Sequence, residues 1–315
     1  MNTIPKRNTF LEIIRNVCTE LNFHFSLFSQ GWIIEVKHKN ITKYIFGYSF
    51  PLNQDTASKI CNDKSATYEI LHQNGIPAIP HHLFHLYTEF FPASGNWSVL
   101  MELFKKYGGK LVVKPNEGTG GNGVYIAKNQ AELELLVHRT LKSRHTFCVS
   151  PFIEIGDEYR VIVLDGNIQL VYRKVIPNIT GDGKSSILEL LGKQVTGISE
   201  QMIRHLDDIG MALDSVPEYG VEIQLHWKHN LGQGAEVDLL IEEEIKEQMI
   251  TLALNAAQAV GITFASVDIV RDYQGNLMVI EINSGVMLVN FSLSGDSEYE
   301  LAKSIYAKAI QKMMQ

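Results

Sequence analysis

Residues 110–127 read KLVVKPNEGTGGNGVYIA. Gly118, Gly120 and Gly123 satisfy the spacing GxGxxG, which invites a dinucleotide-binding reading. That reading needs a helix directly after the glycines, so that its N-terminus faces a pyrophosphate. The residues that follow, Val124-Tyr125-Ile126-Ala127, are instead β-formers, as are those before Lys114. The spacing therefore predicts a hairpin with Gly118, Gly120, Gly121 and Gly123 at its tip. A glycine tip can fold over a triphosphate and donate backbone N–H groups to it. Lys114, at the end of the first strand, can add a point charge to the same phosphates. On the loop alone, a surface turn beside a solvated lysine accounts for these residues equally well. Gly183-Lys184-Ser185 mimics a second phosphate loop, but Asn178 stands where a P-loop needs its first glycine.

Two further stretches carry charge in a pattern. Residues 264–283 read FASVDIVRDYQGNLMVIEIN. Period-two alternation sends Val267, Ile269, Ile280 and Ile282 to one face and Asp268, Glu281 and Asn283 to the other. A symmetric hairpin closed by Tyr273–Asn276 sets Asp268 opposite Glu281. Facing carboxylates repel unless a cation lies between them, and hard oxygen ligands suit Mg²⁺ held together with phosphates. Three exposed polar residues on a wet sheet face are the simpler account. Residues 147–173 read FCVSPFIEIGDEYRVIVLDGNIQLVYR, with a two-residue turn at Asp165-Gly166. That turn sets Glu158 opposite Arg173, with Arg160 on the same face. Arginine forks suit phosphate oxygens, although an exposed cross-strand ion pair explains the set as well and is worth little.

The surrounding chain of 315 residues is 45% hydrophobic and 20% charged, with a formal net charge of −7. The acidic balance and the lack of a basic stripe argue against nucleic acid as a partner. Cys18, Cys61 and Cys148 show no framework spacing, which points to a reducing, cytoplasmic setting and away from zinc. No signal peptide and no membrane-length apolar run is expected. Helices are predicted over 8–22, 63–73, from Asn129 with Glu132 completing a capping box, over 242–260 and over 297–314. Strands joined largely by hairpins predict an α+β architecture with antiparallel sheets. His226 and His229 read as surface or pocket-rim residues, and the set Tyr299, Leu301, Ile305, Tyr306 and Ile310 as core.

The segments NDKSATYEILHQNGIPAIP, VVKPNEGTGGNGV, FIEIGDEYRVIVLDG, YRKVIPNITGDGKSSI, NLGQGA and VDIV…VIEIN occur in an order that resembles the ATP-grasp superfamily. Within it the chain resembles the ATP-grasp domain of the cyanophycin synthetase type, and also the glutathione synthetase and ribosomal-protein glutamate ligase branches. The resemblance implies an ATP-grasp fold, two α+β subdomains clamping ATP. Residues 1–61 would form a short N-terminal α/β region and 62–315 the ATP-grasp domain, divided into a lid-bearing part (62–146) and a larger part with the metal site (147–315). It implies ATP and Mg²⁺ (or Mn²⁺) as cofactors, and an amide formed through an acyl phosphate. Small carboxylate and amine substrates would be the partners, an amino acid or short peptide, on a monomer or homodimer. A kinase on the same fold and a non-catalytic ATP-binding protein are the alternatives. Residue by residue, Lys64 and Lys114 resemble the nucleotide-phosphate lysines and Gly118–Gly123 the closing loop. Ser150, Pro151, Phe152 and Ile153 resemble the hinge strand that reads adenine, although many relatives carry glutamate at Ser150. Glu158 resembles the ribose ligand, and Arg160 and Arg173 the residues that steady the γ-phosphate and acyl phosphate. Asp268, Glu281 and Asn283 resemble the metal ligands, and Asn230 a residue of an active-site loop. After Asn283 the chain departs from the family pattern, which leaves the acceptor substrate unassigned.

Overall fold

The computed structural model describes residues 6–85, 95–118, 120–143, 146–195, 198, 200–226 and 229–315. They fall into two compact units, one of residues 1–171 and 241–315 and one of 172–240. Every registered strand pair is antiparallel among the described residues.

The larger unit opens with helix α1 (Lys6–Glu20), which buries Phe10, Ile13, Ile14 and Val17 at helical spacing. Strands β1 (His24–Phe28), β2 (Ile33–His38) and β3 (Ile41–Phe46) form a sheet in that order. Sequence periodicity indicates strands over 32–36 and 41–46, close to β2 and matching β3; it misses β1, none of whose five residues is fully buried. It also misses helix α2 (Asp55–Asn62), which runs almost directly into α3 (Lys64–Gln73) with Asp63 between them. After α3 the extended residues Ile76–Pro80 are stitched to a distant strand. Ile79 N–H donates to the Val279 carbonyl at 2.9 Å, and Val279 N–H to the Pro77 carbonyl at 2.9 Å.

The next sheet comprises β4 (His82–His85), β5 (Leu111–Lys114), β6 (Tyr125–Ala127) and β7 (Thr146–Pro151) in the order β4-β7-β5-β6. Helices α4 (Trp97–Lys106) and α5 (Gln130–Ser143) cover it, burying Leu100, Phe104, Leu133 and Leu136 against Leu111, Val113 and Val149. β5 pairs with β6, so the glycines do cap a hairpin. At the start of α5 the Asn129 side chain accepts from Glu132 N–H at 2.9 Å, while Glu132 returns to Lys128 N–H at 2.8 Å, one residue before the expected partner.

Strands β8 (Ile155–Leu164) and β9 (Asn167–Val175) follow the turn at Asp165-Gly166, and β9 continues past Val171 into the smaller unit. There it pairs with β12 (Glu236–Asp238). The smaller unit also holds β10 (Asn178–Thr180) paired with β11 (Glu222–Gln224), and helices α6 (Ile187–Gln194) and α7 (Glu200–Asp208) around Ile179, Leu190, Leu191 and Leu206. The Gly183-Lys184-Ser185 segment serves structure: Asp182 accepts from Lys184 N–H and Ser185 N–H, and Ser186 then starts α6 with a capping box.

The larger unit resumes with helix α8 (Glu243–Val260), strands β13 (Phe264–Asp272) and β14 (Leu277–Asn283), and helices α9 (Val289–Ser292) and α10 (Asp296–Met313). β13 lies between β8 and β14. Tyr159, Val161, Val267, Ile269 and Ile282 pack on the small residues Ala253, Ala256 and Ala257 of α8. A methyl-sized side chain lets helix and sheet approach closely, and the apolar area removed from water is worth about 25 cal/mol per Å². Ile305, Tyr306 and Ile310 are core, as their spacing predicts, whereas Tyr299 is half-buried and accepts from Asn16 at 3.1 Å.

Candidate active site

The face of β8, β13 and β14 turned away from α8 carries the charge. The expected pairing of Asp268 with Glu281 is present, but the hairpin is not symmetric. Near the turn Arg271 pairs with Leu277, and the register shifts between Asp268 and Ile269. Ile280 is therefore an extra residue in β14, a bulge that restores the pairing of Asp268 with Glu281. A simple alternation would have sent Ile280 into the core; it is only half-buried.

On its other side Asp268 neighbours Arg160 of β8, so Arg160, Asp268 and Glu281 form one row across three strands. The Arg160 fork donates to both Asp268 oxygens, at 2.7 and 2.6 Å. Asp268 is 2% exposed, so it does not lie on a wet sheet face. A carboxylate that deep is tolerated because a bidentate guanidinium satisfies it. Asn283 donates to Glu281 Oε1 at 3.0 Å. A carboxylate oxygen can accept more than one contact. Two carboxylates and an amide oxygen on one face therefore fit a hard cation that takes its remaining ligands from phosphates and water. Among the described residues no group of three His, Cys, Asp or Glu gathers into an all-protein metal cage, and Mg²⁺ does not need one.

Lys64 links this row to the glycine hairpin. It is the first residue of α3, one residue after the start expected for a helix over 63–73, and Asp63 instead caps the helix by accepting from Ala66 N–H at 2.8 Å. Asn116, just after β5, accepts from Lys64 N–H through its carbonyl at 3.1 Å and from Ser65 N–H through its side chain at 3.2 Å. The start of α3 is thus tied to the base of the glycine loop. The Lys64 ammonium donates to the Gly118 carbonyl at 2.7 Å and stands 4.0 Å from Glu281 Oε2. A cation at the positive end of a helix is disfavoured, so its position calls for anions close by.

Lys114 ends β5 and is buried, with 6% exposure. Burial holds its ammonium below the ordinary lysine range, and Lys64 pushes the same way; Cys148, Glu281 and Glu158 act against the shift. Gly118, Gly120, Gly121 and Gly123 all have positive φ. At Gly123 an added Cβ would lie 3.1 Å from Pro115 Cγ, so the loop turns back closely over its own base. Thr119 lies outside the described residues.

Ser150 and Pro151 end β7, Ser150 buried opposite Val112 of β5. Phe152 carries the Lys110 ammonium 3.6 Å above its ring, and Ile153 leads into β8. Glu158 lies on β8 opposite Val270. In the smaller unit Arg173 is paired with Asp238, with Nε 3.2 Å from Oδ2, a partner the turn-based reading does not contain. Asn230 accepts from Gly232 N–H at 2.7 Å and so shapes its own turn. His226 and His229 are buried, not rim residues, and His229 Nδ1 meets the Lys174 carbonyl at 2.8 Å. Sequence patterning does not single out Asp63; for Asn116 the signal in the sequence is KPNEG at the foot of the glycine loop.

Residues 222–308 match the RimK-like ATP-grasp domain. Cyanophycin synthetase of Trichormus variabilis is 27% identical over 248 residues, 70% of this chain and 26% of that protein. The glutathione biosynthesis bifunctional protein GshAB of Enterococcus faecalis is 26% identical over 216 residues, 61% of this chain and 28% of that protein. The chain thus spans about a quarter of the length of these relatives. Among solved structures, a bifunctional glutathione synthetase from Pasteurella multocida superposes with a TM-score of 0.58 at 18% identity, over 95% of this chain and 44% of that one. A D-alanine–D-alanine ligase from Bacillus anthracis superposes with a TM-score of 0.54 at 18% identity, over 83% and 68%. Residues 222–308 thus match a RimK-like ATP-grasp domain, and the α+β elements with antiparallel sheets share their fold with the glutathione synthetase and D-alanine–D-alanine ligase structures.

Proposed function

We propose that this protein is an ATP-dependent carboxylate–amine ligase that forms an amide or peptide bond through an acyl phosphate. The observation that carries the reading is the position of Lys64, 2.7 Å from the Gly118 carbonyl and 4.0 Å from Glu281. It joins a phosphate-type glycine hairpin to a pair of carboxylates suited to a divalent cation. Lys64 and Lys114 would neutralise the triphosphate, and the backbone of Gly118–Gly123 would close over it. Ser150–Ile153 would meet adenine and Glu158 the ribose. Asp268, Glu281 and Asn283 would hold Mg²⁺, or Mn²⁺ in its place. The bound metal would supply charge neutralisation and orientation of the phosphates. A substrate carboxylate would attack the γ-phosphorus, and positioning with charge stabilisation would carry that step. Arg160 and Arg173 would steady the transferred phosphoryl group and the oxyanion formed when an amine captures the acyl phosphate. Asn230 would belong to an active-site loop.

The substrates would be an amino acid or short peptide, as the names of the ligase relatives suggest. Residues 62–146 would act as the lid-bearing part, 147–315 as the part with the metal site, and 1–61 as an N-terminal addition. Three buried free thiols and dependence on ATP suit the cytoplasm. Among the described residues no helix is long and apolar enough to cross a membrane.

The test is an ADP-release screen across amino acids and short peptides with Mg-ATP, with hydroxylamine present to trap an acyl phosphate. A ligase yields a hydroxamate from the carboxylate substrate alone and faster turnover with the true amine. A stable phosphoester with no effect of any amine would make the protein a kinase, and ATP binding without ADP release a nucleotide-binding scaffold.

A further inference from the structure

His81 is 3% exposed, and its Nε2 has no hydrogen-bond partner among the described residues. It directly follows the extended stretch Ile76–Pro80 that is bonded to β14 at Val279, so its position is fixed relative to the carboxylate hairpin. It lines a small cavity of about 10 Å³ together with Lys64, Thr67, Tyr68 and Glu281. That volume holds about one water molecule. Burial keeps the imidazole neutral, well below its ordinary range, with the charges of Lys114 and Lys64 adding to the effect. An interaction with the Ile79 backbone opposes that shift. A neutral ring carries one proton, and with the proton turned to the backbone Nε2 presents a bare lone pair. Leaving such a buried acceptor unsatisfied is unfavourable, so a donor is expected to meet it.

The donors around the cavity narrow the choice. Thr67 Oγ1 already donates to the Ile60 carbonyl at 2.7 Å. Lys64 has three donors; one goes to Gly118, and Glu281 at 4.0 Å lies beyond hydrogen-bond distance. We propose that His81 is a positioning residue for Lys64: its Nε2 accepts a hydrogen bond from the Lys64 ammonium, through one water seated in the cavity they share, and aims that ammonium at the nucleotide phosphates. The nucleotide half of this inference rests on the ligase reading; the link between His81 and Lys64 does not.

Two measurements separate them. In ¹⁵N-histidine NMR of the ligand-free protein, the His81 Nε2 resonance should report a hydrogen-bonded acceptor and move toward the bare lone-pair value in Lys64→Met. No movement overturns the link. By calorimetry, His81→Leu should weaken Mg-ATP binding about tenfold with no fall in Tm, because leucine fills the volume without stranding a polar atom. His81→Gln, which keeps an acceptor, should bind within about twofold of wild type. Equal affinity in both variants and wild type, or a loss that follows Tm alone, overturns the positioning role. If wild type itself fails to bind Mg-ATP, the ligase reading falls and the role toward phosphates falls with it, while the NMR result still decides the link to Lys64.

Discussion

At the scale of single residues, the buried charges divide into those that are paired within the fold and those that the proposed nucleotide would pair. Asp268 is of the first kind, since Arg160 takes both its oxygens. Glu281→Gln should lower ATP turnover about 10²-fold or more, because it removes a charge from the proposed metal site, and should leave Tm nearly unchanged. Asp268→Asn should lose as much turnover and also lower Tm, since breaking one side of a buried pair strands the other. ADP release and thermal melts on both variants check this, and near-normal turnover in both would remove the metal assignment. Lys114 is of the second kind. Its folded-state affinity for a proton is depressed by burial. The unfolded chain therefore binds more protons in the window just below the ordinary lysine range, and stability rises with pH there. Below that window the destabilisation is fully present. At pH 7, Lys114→Met should raise the Tm of the ligand-free protein, by roughly 2–4 °C per kcal/mol relieved, and should remove most of the stabilisation by Mg-ATP. A lower ligand-free Tm, or an undiminished response to Mg-ATP, would contradict it.

At the scale of elements, two hairpins and one helix start build the candidate site, and their tips are where substitutions separate stability from the proposed function. Gly123 has φ of 73° and Pro115 Cγ within 3.1 Å of a prospective Cβ, while Gly120 has φ of 76° and open space apart from Asn122 Nδ2 at 3.7 Å. Both alanine variants carry the left-handed penalty of about 1–2 kcal/mol, but Gly123→Ala adds a steric clash. It should show the lower Tm of the two, and differential scanning calorimetry of the pair decides it. The reverse order would mean that the loop base is looser than its geometry. The element scale also shows how legibility depends on locality. The β5–β6 hairpin, the face of Asp268 and Glu281 and the start of α3 at Lys64 all follow from periodicity and turn residues within a short window. Strand β1 and helix α2 did not emerge, because neither presents enough clean alternation or length to stand out.

At the scale of the whole molecule, the proposed clamp predicts linkage between nucleotide and folding. Mg-ATP at a hundred times its dissociation constant should stabilise the protein by about 2.7 kcal/mol, seen as a higher Tm, and NAD should have no effect. Stabilisation by NAD and not by ATP would restore the dinucleotide reading of the glycine loop. The large unit makes such coupling physically plain. Asn116 bonds the start of α3 to the foot of the glycine hairpin, and the Ile76–Pro80 stretch bonds the end of α3 to β14. A ligand held by Lys64 therefore touches segments whose docking is part of the fold.

The sequence by itself determined the hairpin character of the glycine loop, the facing carboxylates and the lysine at a helix start. Each depends on neighbours within a few residues, whose spacing alone sets which way a side chain points. The tertiary structure decided what those groups touch. Arg160 and Asp268 are 108 residues apart, and nothing local announces that β8 and β13 lie side by side. A single extra residue, Ile280, kept Glu281 opposite Asp268 although the turn is one residue shorter than the symmetric hairpin requires. His81 became conspicuous only when burial left its Nε2 without a partner. Pairing, bulges and unsatisfied atoms are properties of segments brought together in space, and the energies that select them are absent from any short window of chain.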